Sequence, residues 1–192
     1  MFKRSFWRAL PVHFFLCSLY LSSPAWGAEV LSLEVEQEGH DYHVAMEAVL
    51  EAPMLEVWRL LTDYPGLKAL SPAVEVSEVL AELAPDRHRV RTQSRLCVFI
   101  FCGNIVQVQI MHQAAFGDLQ AEIEAKGSDF ESGKLHWWLE EQQGAVRLQF
   151  RADLRLAFAV PPLVGPWAVK RVLRQEAMTI VTSLERLAGV EK

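Results

Sequence analysis

Val160-Pro161-Pro162-Leu163-Val164-Gly165-Pro166, leading into residues 167–187, is the stretch on which the fold turns. The prolines fix the chain direction, and Pro166 suits the first turn of a helix, where its missing N–H has no intrahelical partner to lose. Beyond it, apolar side chains recur at helical spacing: Trp167, Ala168, Val172, Leu173, Ala177, Ile180, Val181, Leu184, Leu187 and Ala188. Lys170, Arg171, Arg174, Gln175, Thr182, Glu185 and Arg186 fall between them as a wet face, and Gly189 offers a stop. Burying about eight such side chains is worth about 1.5–3 kcal/mol each, before ordering entropy is subtracted. A helix of this kind needs a wide apolar partner.

Strands upstream supply it. Residues 42–50 alternate, with Tyr42, Val44, Met46, Ala48 and Leu50 on one face. Residues 54–62 read as a short amphipathic helix after Pro53, and residues 67–70 as a second helical turn. Further strands are predicted over 74–80, 87–96, 105–114, 119–125, 134–141 and 146–158, with residues 127–133 a loop and residues 28–41 a polar lead-in. In the strand over 87–96, the arginines take one face and Val90, Thr92, Ser94 and Leu96 the other, with His88 sharing that apolar side. Over 105–114, Val106, Val108, Ile110 and His112 are expected on the core face, with Gln107, Gln109 and Gln113 opposite. Short turns favour antiparallel meander pairing. The sum is an α+β fold, a curved antiparallel sheet wrapped around the C-terminal helix with two short helices after the first strand.

With 192 residues and 51% hydrophobic content, the chain can bury a sizeable single core. Residues 1–27 have the layout of a secretory signal peptide: Lys3, Arg4 and Arg8, an apolar run over 9–21, then Ser22-Ser23-Pro24-Ala25-Trp26-Gly27. Ala25 and Gly27 are the small residues that precede a cut after Gly27, giving a periplasmic or secreted protein. Losing those three basic residues and no acidic one takes the formal net charge from −5 to −8. No concentrated basic face remains, which excludes nucleic acid as a partner. Cys97 and Cys102 then survive as an even pair in an oxidising compartment. On a straight strand they would face opposite ways. If the chain turns through Val98-Phe99-Ile100-Phe101 they meet and can bond, which would leave an apolar tip able to touch a membrane transiently.

Pro53-Met54-Leu55-Glu56-Val57-Trp58 opening the first helix, Leu61-Thr62-Asp63-Tyr64 closing it, and Pro161-Pro162-Leu163 before the last helix resemble the START-like (SRPBCC) helix-grip superfamily. That group includes polyketide cyclase/dehydrase-like proteins, coenzyme Q-binding START-domain proteins and birch-pollen-allergen relatives. The resemblance covers roughly residues 40–188 and implies one ligand-binding domain over 42–189, with an apolar cavity between sheet and helix. It implies binding of lipids, quinones, sterols or polyketides, with catalysis in a minority of members.

No G-x-S-x-G, H-E-x-x-H, P-loop, dinucleotide glycine motif or C-x-x-C is present, so no catalytic nucleophile, metal or cofactor is predicted. Expected cavity residues are the polar Thr92, Ser94 and His112 and the apolar Ile110, Trp137, Phe150, Leu154, Phe158, Trp167 and Val172, a mostly apolar set with few polar groups. Asp129, in Gly-Ser-Asp-Phe-Glu-Ser-Gly, reads as a turn residue. The expected function is an exported, monomeric protein that sequesters a hydrophobic small molecule, lipid, quinone or isoprenoid-like. The alternatives are a cyclase- or hydratase-like enzyme using His112, or an envelope interaction module with a filled core.

Overall fold

The computed structural model describes residues 28–98, 101–158 and 165–189. The expected leader, the proline segment over 159–164 and the apolar tip (residues 99–100 and the side chains of Val98 and Phe101) lie outside the described residues. Two strands come first, β1 (Glu29–Glu38) and β2 (Asp41–Leu50), then helix α1 (Met54–Thr62) and a 3-10 helix (Tyr64–Ala69). Six strands follow: β3 (Val74–Ala84), β4 (Arg87–Val98), β5 (Phe101–Ala115), β6 (Asp118–Glu124), β7 (Phe130–Gln142) and β8 (Ala145–Leu156). Helix α2 (Gly165–Gly189) ends the fold. The strands make one curved, unclosed antiparallel sheet in the order β1-β2-β8-β7-β6-β5-β4-β3. The expected architecture is therefore the observed one.

Each neighbouring pair except β2–β8 is a hairpin or tight connection, as the short turns require. The β7–β8 turn is two residues, Gln143 and Gly144, both with positive φ (53° and 89°), the geometry that matches strand twist. Long connections close the sheet's other seam, where β2 pairs with β8 in register from Asp41↔Arg155 to Leu50↔Val146.

Several boundaries differ from the sequence reading, such as β3 running to Ala84, β5 starting at Phe101 and the 3-10 helix spanning Tyr64–Ala69, and two of the differences matter most. The polar lead-in is a complete strand: Leu33 opposes Met46 and Val35 opposes Val44, while Glu34 and Glu36 face outward. Its glutamates are what an edge strand carries to stay unpaired by other chains, and they masked the alternation. Strand β7 also starts at Phe130, inside the expected loop. Gly133 reads as a turn signal but serves a close approach. A Cβ there would lie 2.5 Å from Ile123 Cδ1 and 3.1 Å from Leu154 Cδ2.

The core sits at one end of the sheet-helix sandwich. Val181, Leu184 and Ala188 of α2 are buried with Leu50, Ala52, Val57, Leu61 and Tyr64. Glu185, expected on the wet face, accepts hydrogen bonds from the backbone N–H groups of Ala28 and Glu51, tying the last turns of α2 to the start of β1 and the exit of β2. Outer rows of the sheet are laced with pairs such as Arg89–Glu124 (2.6 Å), Arg91–Glu78 (3.0 Å) and His43–Asp153 (2.6 Å). Asp153 beside it raises the His43 pKa above its ordinary value.

Cys97 and Cys102 are directly paired across the β4–β5 hairpin and joined by a disulfide, Cα–Cα 4.0 Å. The turning chain, not the straight strand, is what the structure adopts. The loop it closes is short, so reduction should cost at most about 2 kcal/mol in urea unfolding and leave the fold intact. Leu184 is fully buried at the helix-sheet contact, so Leu184→Ala should lower unfolding free energy by about 2–5 kcal/mol in the same assay.

Candidate functional site

The side of the sheet that faces α2 is identified by its buried residues: Met46, Ala48 and Leu50 on β2, Val90 on β4, Met111 on β5, Ala121 on β6, Leu139 on β7 and Leu148 on β8. Alternation and register assign every other inward side chain. On β7 and β8 these include Leu135, Trp137, Phe150 and Leu154, with the Trp137 and Phe150 rings 5.1 Å apart. On α2, Leu173 packs in the same cluster as Leu135, Phe150 and Leu154, and Val169, Val172 and Ala177 neighbour it on the helix surface. All of these point into the sandwich, yet all are only half-buried. Helix α2 makes its close backbone approaches to α1, β1, β2 and β4. Over the middle strands, inward apolar surface is left partly uncovered, as in the lining of a ligand cavity.

The β4–β5 wall is polar. Thr92 faces inward opposite Gln107, and Ser94 opposite Ile105. Gln109, 5% exposed, lies opposite Val90 and accepts a hydrogen bond from Gln107 Nε2. A buried amide is costly unless it is paired, and this one is. Among the described residues, no protein group bonds the hydroxyls of Thr92 or Ser94. Deeper, Gln113 Nε2 donates to the Tyr64 hydroxyl (3.1 Å), and the tilted His88 ring lies 5.3 Å from that of Tyr64 with its buried Nδ1 unpartnered. Burial raises the Tyr64 pKa, keeping the phenol neutral. Near the β1–β2 turn, burial raises the Tyr42 pKa in the same way, against a smaller lowering effect of the Gln37 side chain.

Six of the expected site residues converge here: Thr92, Ser94, Trp137, Phe150, Leu154 and Val172. Four do not. Ile110 and His112 are on the outer face, because Met111, between them, is the buried core residue of β5. His112 Nε2 pairs there with Asp86 (3.1 Å), in a shallow depression of about 400 Å³ shared with Glu122, Lys134, His136 and Arg151. The apolar-inward rule picked the wrong face of β5. Val108 is buried from the outside by the 125–129 turn, whose Ser128 and Asp129 side chains accept the Val108 and Val106 N–H groups (both 2.7 Å). Asp129 is thus the turn residue it was read to be. Phe158 and Trp167 are 38% and 56% exposed, at the ends of the 159–164 segment, so they border the interior at most.

Sequence reasoning missed Gln107, Gln109, Gln113 and Tyr64, and above all Glu176. This α2 residue follows the inward stripe, three residues after Leu173 and four before Ile180, and Ser71 donates a 2.6 Å hydrogen bond to its Oε2. Ser71 is itself 1% exposed and accepts from the Ala73 N–H (3.1 Å). A signal for the β5 face was available. Counting back from the paired cysteines places Gln109 opposite Val90, hence inward.

A family model described as polyketide cyclase / dehydrase and lipid transport matches residues 50–184. A search of the curated proteins gave no match. Solved structures share the fold. The Zhui aromatase/cyclase from Streptomyces sp. R1128 is 16% identical over 78% of this chain and 94% of its own, with a TM-score of 0.62. A START superfamily protein from Mycobacterium smegmatis is 15% identical over 77% and 97%, TM-score 0.59. A STAR-related lipid transfer protein fragment from Xanthomonas axonopodis is 13% identical over 79% and 98%, TM-score 0.54. Matched by the family model over most of its length, the chain belongs to the polyketide cyclase / dehydrase and lipid transport family.

Proposed function

We propose that this protein is an exported, monomeric carrier that holds a hydrophobic small molecule between the sheet and α2. One observation carries the proposal: Leu135, Trp137, Phe150, Leu154, Val172 and Leu173 point inward from both layers and are only half-buried. Covering that surface with an apolar ligand is worth about 25 cal/mol per Å² removed from water. Thr92 and Ser94 supply the few polar contacts that orient it. The family's lipid-transport description and the two START-type structures support the same direction. An enzyme built on His112 loses its base from the interior, since that residue faces outward.

Export is supported from an unexpected side. Cleavage after Gly27 would turn the Ala28 N–H, already bonded to Glu185, into an α-ammonium facing a carboxylate. The mature chain would then be clamped by the very end that processing creates.

Two measurements test this. Native mass spectrometry of the protein purified from the envelope should show a stoichiometric apolar adduct that solvent extraction removes. Phe150→Ala should weaken its rebinding at least severalfold while His112→Ala leaves it unchanged; an empty protein that ignores added lipids would overturn the carrier. The intact mass should give Ala28 as the first residue, and Glu185→Gln should lower the melting temperature of the processed protein. A mature chain still carrying residues 1–27 would refute export by cleavage.

A further inference from the structure

We infer that the polar end of the bound molecule carries a hydrogen-bond donor and no negative charge, and that Glu176 is the residue that reads it. This deepens, and rests on, the carrier function proposed above.

Glu176 lies near the middle of the inward arc of α2, flanked at helical spacing by Val172, Leu173 and Ile180. Its Oε2 accepts a hydrogen bond from the Ser71 hydroxyl (2.6 Å). Its Oε1 has no partner among the described residues. Ser71 is held in turn by the Ala73 N–H, and Ala73 C=O accepts the Arg95 N–H (2.8 Å), so the carboxylate is fixed beside the end of β4 that carries Ser94. Ser94 and Thr92 add hydroxyls that have no partner among the described residues, and Gln107 and Gln109 add amide groups. The opposite wall, Trp137, Phe150 and Leu154, is apolar apart from the Trp137 indole N–H.

What is missing from this wall matters as much. The arginines of β4 and β8 all alternate onto the outer rows, where Arg89, Arg91, Arg147 and Arg155 are paired with carboxylates. Lys170 is half-buried on the same side of α2 as Leu173 and Ala177, but stands about 9 Å along the axis and about a third of a turn around it from Glu176. A ligand carboxylate or phosphate would therefore enter beside the Glu176 carboxylate, with no inward arginine or lysine on the described strands to receive it. A methyl ether or ester would leave Oε1 unpaired. A hydroxyl or phenol satisfies it, and a hydrogen bond to a charged acceptor is among the stronger kinds.

A matched set of probes tests this by displacement of the neutral fluorophore N-phenylnaphthylamine: para-nonylphenol, para-nonylanisole and para-nonylbenzoate, which differ only at the polar end. Wild-type protein should bind the phenol about tenfold or more tightly than either of the others. Glu176→Gln keeps a group for Ser71 to bond, and its melting curve checks the fold. It should weaken phenol binding severalfold and strengthen benzoate binding by about tenfold. Equal binding of all three by wild type, or an unchanged ranking in the variant, would overturn the role of Glu176 while leaving the carrier intact. If neither the fluorophore nor any of the three binds, the carrier itself fails and this inference with it.

Discussion

Everything in this molecule depends on where α2 is allowed to touch. Its C-terminal half is clamped: Val181, Leu184 and Ala188 are buried against α1 and the ends of β1 and β2, and Glu185 bonds two backbone amides. Those contacts supply most of what holds helix to sheet, each large buried side chain contributing about 1.5–3 kcal/mol. The N-terminal half is held by the Glu176–Ser71 bond, the buried Ala168 and the packing of Leu173 against Val35, Val44 and Ala152. Three of the four buried residues described on α2 thus lie in its C-terminal half.

The sheet answers that division. Small side chains, Ala48, Ala121 and Ala152, sit on the inward rows where strands lie close under other groups, and Gly133 gives up its side chain to Ile123 and Leu154. Outward, the same strands carry arginines and carboxylates in register, which keeps charge out of the interior without deleting it from the sequence. The polar wall of β4 and β5 is the exception, and it is built from hydroxyls, amides and the His88 imidazole rather than arginines or carboxylates, which cost more to desolvate.

How much of this could be read from the sequence depended on whether one rule applied at a time. Residues 167–188 and 146–156 obey apolar periodicity, because their inward faces meet core or cavity wall and their outward faces meet water. Both were legible. The inner row of β4 was legible too, since four arginines marked its outer side. Strand β5 was not: Val106, Val108 and Ile110 are apolar outside, and Gln107, Gln109 and Gln113 are polar inside. A cavity wall can be more polar than a surface covered by a turn, and the register set by Cys97 and Cys102 was the evidence that could have decided it. Glu176 escaped for a related reason, since a single carboxylate in an apolar stripe looks like a boundary of the stripe.

The pairing of β2 with β8 has a consequence for how the chain reaches this state. Ala48 lies opposite Leu148, and Leu50 opposite Val146, so the seam that completes the sheet joins segments about a hundred residues apart. The helix that covers the result comes later still. Loop-closure entropy must be met before those contacts reward it, which places this domain among slow-folding topologies. Emerging from its N-terminus, the chain holds the apolar rows of β1 and β2 without their partner until β8 has been made. Its edge glutamates and outward charges therefore have a second task, keeping an incomplete sheet from pairing with a neighbour during that interval.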